Sequence, residues 1–191
     1  MFFEDLKSGL KDSIDYSKGD LDLKTTTISS KIKVLLCDLD GVLTNGCYYR
    51  FAQSDDIFKC FYTRDFYGFH LLHEKNIVIG VISTAGLPLT KKQFDSGAPF
   101  VELYCGVKDK KQLVEDVFIK QRGYQWSELS FIADDVFDIP LLLSVGLAAC
   151  PSDAEDEVIE LVQDRTDGIV MTKKGGRGCV REFCNLLCKM V

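Results

Sequence analysis

The chain has 191 residues, 46% of them hydrophobic, with 23 Lys and Arg against 29 Asp and Glu and a formal net charge of −6. That length suits one α/β domain with a substantial core. An acidic chain with unclustered basic residues argues against nucleic acid or an anionic membrane surface as a partner. No apolar run reaches the roughly 18 residues of a membrane-spanning helix, and Met1-Phe-Phe-Glu-Asp-Leu-Lys7 lacks the basic-then-apolar order of a secretion signal, so the expected compartment is cytoplasmic.

Residues 1–30 carry Phe2, Phe3, Leu6, Leu10 and Ile14 at helical spacing, broken by Gly9, and then turn polar. They read as an N-terminal helical extension and linker, or as a frayed arm. The next stretch, Lys31 to Thr44, organises the rest. Ile32 and Val34-Leu-Leu-Cys37 form the short apolar run of a strand buried on both faces. The run stops at Asp38 and Asp40, with Gly41 directly after. Ligands of open α/β sheets bind at the carboxyl ends of strands, and side chains at i and i+2 of a strand share a face. Two such carboxylates in one small volume are costly without a cation, which points to a Mg²⁺ site containing a nucleophile. An ordinary turn also accommodates Asp-x-Asp-Gly. A calcium loop does not, because the twelfth residue from Asp38 is Tyr49 and not Glu.

Cys47–Phe51 and Ile57–Tyr62, flanking residues 52–56, read as a β-hairpin. Its aromatic and apolar residues fall on both alternating faces, as at an interface. Thr63-Arg64-Asp65 opens a helix through Phe66, Phe69 and Leu72, and residues 77–83 form a strand ending at Ser83-Thr84, whose hydroxyls suit a phosphoryl oxygen. After a strand over 100–105, Lys108, Lys110 and Lys111 crowd the start of a helix. Lysine there opposes the helix dipole, a misfit that points to a lysine holding an anion.

A strand over 129–133 ends at Asp134-Asp135-Val-Phe-Asp138, and Pro140 suits the first turn of the following helix. This second acidic cluster, with Asp38 and Asp40, makes an oxygen-ligand site suited to Mg²⁺. Residues 146–150 form a fifth strand, and Ser152 and Asp153 are candidate caps for a helix through Val158, Leu161 and Val162. The tail, Lys173-Lys-Gly-Gly-Arg177-Gly-Cys-Val-Arg181-Glu182, leads into an apolar-striped helix; its glycines are too close for a mononucleotide loop. The eight cysteines contain no Cys-x-x-Cys pair, and the two histidines, His70 and His73, stand apart from most of them. They read as small buried hydrophobes in a reducing compartment rather than as zinc ligands. Five parallel strands alternating with helices predict a doubly wound, Rossmann-like α/β sheet with a projecting hairpin.

Asp38-Leu-Asp-Gly-Val-Leu-Thr44 resembles the first motif of the haloacid dehalogenase superfamily. The tail string Gly-Gly-Arg-Gly-x-Val-Arg-Glu resembles that of its capless 3-deoxy-D-manno-octulosonate 8-phosphate phosphatases, and related strings end the phosphatase-like half of acylneuraminate cytidylyltransferases. The resemblance runs from about Ile32 to the C-terminus. It implies a capless domain over 31–191 that hydrolyses a sugar-acid phosphate. It implies Asp38 as nucleophile, Asp40 as acid/base, and Lys110 and Ser83 on the phosphoryl oxygens. Mg²⁺ would be held by Asp38, the Asp40 carbonyl and Asp134, with Asp138 and Asp135 in support. It also implies a tetramer whose hairpin and tail close neighbouring sites. The available substrate-binding groups are Arg64, Arg177 and Arg181, which suit a carboxylate, and Thr84. The chain departs from the pattern at Phe66 and Ala85, where relatives have Gly and Arg, and at Ala133, where they have Gly.

Overall fold

The computed structural model describes residues 32–191, apart from residues 51, 54–56 and 87; the extension expected over 1–30 lies outside the described residues. Six parallel strands form one sheet: β1 (Val34–Asp38), β4 (Val78–Ser83), β5 (Glu102–Cys105), β6 (Leu129–Ile132), β7 (Leu147–Cys150) and β8 (Gly168–Val170). Their spatial order is β5-β4-β1-β6-β7-β8. The chain winds outward from β1 through β4 and β5, crosses back, and winds outward again from β6. The order therefore reverses between β1 and β6, and the crevice at such a reversal is where open α/β sheets bind ligands.

The alternation of side chains along β1 divides the core in two. Leu35 and Cys37 face a cluster built from α1 (Thr63–His73), α2 (Pro88–Gly97) and α6 (Cys179–Met190), including Phe69, Phe94 and Phe183. Val34 and Leu36 face the other side. There α3 (Lys110–Val114), its π-helical continuation through Gln121, α4 (Ile139–Leu142) and α5 (Asp156–Asp164) supply Val114, Phe118, Leu141, Leu142 and Val158. With apolar contacts on both faces, β1 is buried along its whole length, and the carboxylate at its end sits on a rigid support.

The structure adds a sixth strand to the five expected. Its run Gly168-Ile-Val170 is too short to show a period, and it forms by pairing with β7. Among the described residues the hairpin is narrower than expected: β2 (Tyr49–Arg50) pairs with β3 (Ile57–Phe58). Beyond β3 the chain turns inward, and Phe61 packs edge-on against Phe66 and Phe94 at 5.9 and 6.2 Å. Helix α5 begins after Glu155 without a described side-chain cap; Asp153 instead accepts a bond from Gly175 N at 2.9 Å. Helix α6 is capped from another element, where buried Asp65 of α1 accepts from Arg181 N at 2.7 Å. Burial pushes the Asp65 carboxyl up to about 7. All eight cysteines are free thiols, but Cys47 and Cys60 of the hairpin region are exposed rather than buried.

Candidate active site

Asp38 is the last residue of β1, and Asp134 follows β6 by two positions, so the two strands flanking the sheet's reversal deliver both carboxylates to one crevice. Lys110 opens α3, whose N-cap Asp109 accepts from Gln112 N at 2.9 Å. Its side chain is only 8% exposed. It runs back to donate to Asp38 Oδ1 at 2.7 Å, and its Nζ lies 2.7 Å from Asp138 Oδ1 in a second ion pair. Asp38, Asp134 and Asp138 each bring a carboxylate oxygen within 4.8 Å of the others.

Three carboxylates against one ammonium leave an excess of negative charge. Burial, with Asp38 and Asp138 adding repulsion, pushes Asp134 up to about 8. Burial and Asp38 push Asp138 up to about 7 despite Lys110. Burial also raises Asp38, outweighing the pull of Lys110. Lys110 itself is held above its ordinary value because Asp38 and Asp138 together overcome the opposing effect of its burial. Asp134 Oδ1 is buried with no hydrogen-bond partner among the described residues. An all-oxygen donor set with surplus charge and an orphaned oxygen fits a hard divalent cation.

Asp40 does not join this cluster. The expectation that it shares a face with Asp38 assumed a continuing strand, but β1 ends at Asp38 and Gly41 sits at φ 86°. Its carboxylate accepts from Lys59 Nζ at 2.8 and 2.7 Å and from Thr44 Oγ1 at 3.0 Å. Asp135 also turns away, capping its own turn through a 3.3 Å bond from Phe137 N. Ser83 is buried at the end of β4, with its Oγ accepting from Ala85 N at 3.0 Å.

A cleft of about 280 Å³ opens beside Lys110, lined by Thr84, Lys108, Lys111, Phe137 and Pro140. Lys108 and Lys111 are solvent-exposed, yet they border this cleft. Phe137 stands 83% exposed at its rim. None of the three candidate arginines lines it. Arg64 lies over the Tyr62 ring at 5.9 Å and Arg181 over Tyr67 at 4.6 Å, while Arg177 is exposed on the tail loop.

That loop lies directly on the turn that follows β1. Gly176 N donates to Val42 O at 2.8 Å, and a Cβ on Gly175 would run into Gly41 O. The tail's paired glycines thus permit a backbone-on-backbone contact that braces residues 41–45. Gly175→Ala should force the two loops apart and lower kcat/KM at least about tenfold, the effect of about 1.4 kcal/mol at the transition state. Steady-state kinetics beside a circular-dichroism check of folding measure this.

Lys59 escaped the sequence reading. The available signal is its register: Ile57, Lys59 and Phe61 share one alternating set, and Phe61 is anchored in the core. A lysine on the inward face of a ribbon needs a carboxylate partner.

No family profile matches the chain. Among curated relatives, it is 30% identical over 159 residues to the 3-deoxy-D-manno-octulosonate 8-phosphate phosphatase KdsC of Yersinia pestis, covering 83% of this chain and 81% of that one. It is 27% identical over 165 residues to N-acylneuraminate cytidylyltransferase B of Danio rerio, where the match spans 85% of this chain but 37% of the relative. Among solved structures, the Yersinia pestis phosphatase superposes with a TM-score of 0.81 at 28% identity, over 93% of this chain and 91% of that one. The cobalt-bound deoxy-D-mannose-octulosonate 8-phosphate phosphatase of Haemophilus influenzae superposes with a TM-score of 0.74 at 25% identity, over 85% and 91%. A sheet that delivers its acidic residues to the reversal point, on a backbone and sequence shared with the Yersinia pestis phosphatase over most of its length, assigns the chain: it belongs to the 3-deoxy-D-manno-octulosonate 8-phosphate phosphatase family of the haloacid dehalogenase superfamily, and it is a phosphatase.

Proposed function

We propose that the enzyme hydrolyses the phosphate monoester of a 2-keto-3-deoxy sugar acid, with 3-deoxy-D-manno-octulosonate 8-phosphate as the preferred substrate and an acylneuraminate 9-phosphate as the alternative. The observation that carries the reading is the buried Asp38–Lys110 pair, 2.7 Å apart within a three-carboxylate cluster. Asp38 attacks phosphorus as the ester oxygen leaves, giving an aspartyl-phosphate that water then hydrolyses. Asp40 supplies a proton to the leaving alkoxide and takes one from the attacking water. Lys110 neutralises charge on the nucleophile and the phosphoryl group, with Ser83 and Thr84 as further donors.

Asp38, Asp134 and Asp138 are the residues that would hold Mg²⁺, with the Asp40 carbonyl as a further ligand and Asp135 outside them. When bound, the ion offsets phosphoryl charge and fixes the in-line geometry. The Haemophilus influenzae relative's cobalt-bound form supports a divalent metal.

Residues 31–191 form the phosphatase domain in this reading, with 1–30 appended to it. Among the described residues no cap domain interrupts it, and no helix is long and apolar enough to cross a membrane. An acidic chain with eight free thiols fits the cytoplasm. Tyr48 and Tyr49, 55% and 50% exposed on the hairpin, support a closed homo-oligomer, which we read as a tetramer. A non-catalytic assembly module is the rival suggested by the cytidylyltransferase match, but the intact Asp38–Lys110 pair favours catalysis.

A panel of phosphate esters tests the substrate. Sugar-acid phosphates should exceed glucose 6-phosphate and nucleotides in kcat/KM by at least about tenfold, roughly 1.4 kcal/mol. Arg177→Ala should weaken that preference more than it slows a small aryl phosphate. A flat panel, or a nucleotide at the top, overturns the substrate and leaves only the phosphatase class.

A further inference from the structure

We propose that Lys59 is a positioning residue for proton transfer: the hairpin reaches into the site through this side chain, with the Tyr48 hydroxyl beside it, and fixes the carboxylate of Asp40. The inference rests on the acid/base reading of Asp40 given above. Lys59 follows β3 directly, and its side chain is only 5% exposed. Its Nζ lies 2.8 Å from one Asp40 oxygen and 2.7 Å from the other. The same ammonium stands 4.8 Å from the centroid of the Tyr48 ring. Thr44 Oγ1 donates to Asp40 Oδ1 at 3.0 Å, and Tyr48 OH lies 3.5 Å from Oδ2. Both oxygens of Asp40 are thereby fixed, two of the fixing groups come from the hairpin, and none comes from the Asp38–Asp134–Asp138 cluster.

Long lysine side chains lose considerable rotamer freedom when buried. A buried one gripping a single carboxylate from a separate element sets that carboxylate's direction. The consequence falls on the first chemical step. The Asp38 oxygen–phosphorus bond forms, the bond from phosphorus to the ester oxygen breaks, and the proton of Asp40 passes to the departing alkoxide. Asp40 emerges as the carboxylate that Lys59 grips. In the second step water attacks phosphorus, the Asp38 oxygen–phosphorus bond breaks, and the water's proton passes to Asp40. An alkoxide needs the proton to leave, whereas p-nitrophenolate leaves without it. Lys59 should therefore matter for alkyl esters and scarcely for good aryl leaving groups.

The experiment compares kcat/KM, which reports phosphoenzyme formation, for an alkyl phosphate and p-nitrophenyl phosphate. It uses wild type, Lys59→Met, Lys59→Gln, Lys59→Arg, Asp40→Asn and the Lys59→Met/Asp40→Asn double variant, with thermal melts as a folding check. Lys59→Met and Lys59→Gln should lose at least about tenfold more on the alkyl ester than on the aryl ester. Lys59→Arg should recover part of the loss, and adding Lys59→Met to Asp40→Asn should change alkyl turnover less than about twofold, since the two act as a unit. Equal losses on both esters, or full additivity in the double variant, reduce Lys59 to a structural tie and overturn the inference. An Asp40→Asn enzyme without the leaving-group split overturns the acid/base reading and this inference with it. A split in Asp40→Asn but not in either Lys59 variant overturns this inference alone.

Discussion

Asp38→Asn is expected to lower turnover by at least about 10³-fold, because an amide cannot form the acyl phosphate and loss of a covalent nucleophile elsewhere costs up to about 10⁶-fold. The fold should survive and even gain. Asp38 is a buried acid whose pKa burial has raised, and it stands in repulsive contact with Asp134 and Asp138. The isosteric amide removes one charge from a cluster with too many, while Lys110 keeps Asp138 at 2.7 Å. Melting at pH 8 without added metal should therefore show Asp38→Asn at or above the wild-type temperature. Phosphate release and covalent trapping with ³²P-labelled ester provide the catalytic test. Wild-type turnover in this variant would transfer the nucleophile elsewhere and sink the mechanism.

Much of this site is legible in the chain because strand ends carry it. The apolar run before Asp38 and the one before Asp134 each mark where a buried strand stops, and an acidic residue there has nowhere to point but the crevice. For Lys110 the dipole argument marks only a misplaced cation among Lys108, Lys110 and Lys111 at a helix start, and the resemblance to the family's pattern singles out Lys110. What stays hidden is whatever depends on the direction of a turn. Asp40 is two residues from Asp38, and only the turn through Gly41 decides that it faces the hairpin and not the cluster. Asp135 adjoins Asp134 yet caps its own turn, a local competition between side chain and backbone that the string Asp-Asp-x-x-Asp does not display. Lys59 is hidden because its partner lies 19 positions away, across a ribbon. The third strand on the outward side, β8, has only three residues, and its pairing with β7 defines it more than any intrinsic pattern.

The tail belongs to the same class. Read alone, Gly175-Gly-Arg-Gly178 offers a loop or a helix boundary, and as a family string it names relatives without giving a reason. In three dimensions the reason is close approach: Gly175 lies against the backbone of Gly41, and a Cβ at Gly41 would in turn collide with the Asp134 carboxylate. Close approach at bare glycine backbone thus links the C-terminal loop, the turn after β1 and the Asp134 carboxylate beyond β6. Arg177 is carried to this edge as a consequence.

Metal dependence should appear as a pH-dependent stability. Asp134 and Asp138 are raised from 3.8 to about 8 and about 7 in the folded, metal-free protein. There the folded state holds protons that the unfolded chain has already released. The stability contributed by these groups is complete below about pH 4 and is lost as pH rises through 7 and 8. In excess chelator the melting temperature should therefore fall between pH 6 and pH 8.5. Mg²⁺ competes with those protons, so its apparent affinity should rise over the same interval and its binding should release protons. At a hundredfold excess over its dissociation constant it should add about 2.7 kcal/mol. The rise in melting temperature on adding Mg²⁺ should accordingly be larger at pH 8.5 than at pH 6. Asp134→Asn removes a carboxyl raised to about 8 and a candidate ligand together. It should flatten the pH dependence of the metal-free protein and raise the Mg²⁺ concentration for half-maximal activity at least about tenfold. Ca²⁺, with its larger and looser coordination, should bind and inhibit. Calorimetric melts in chelator and in Mg²⁺ at the two pH values decide the matter. Equal Mg²⁺ shifts at both, or full activity in excess chelator, would remove the cation from the Asp38–Asp134–Asp138 cluster.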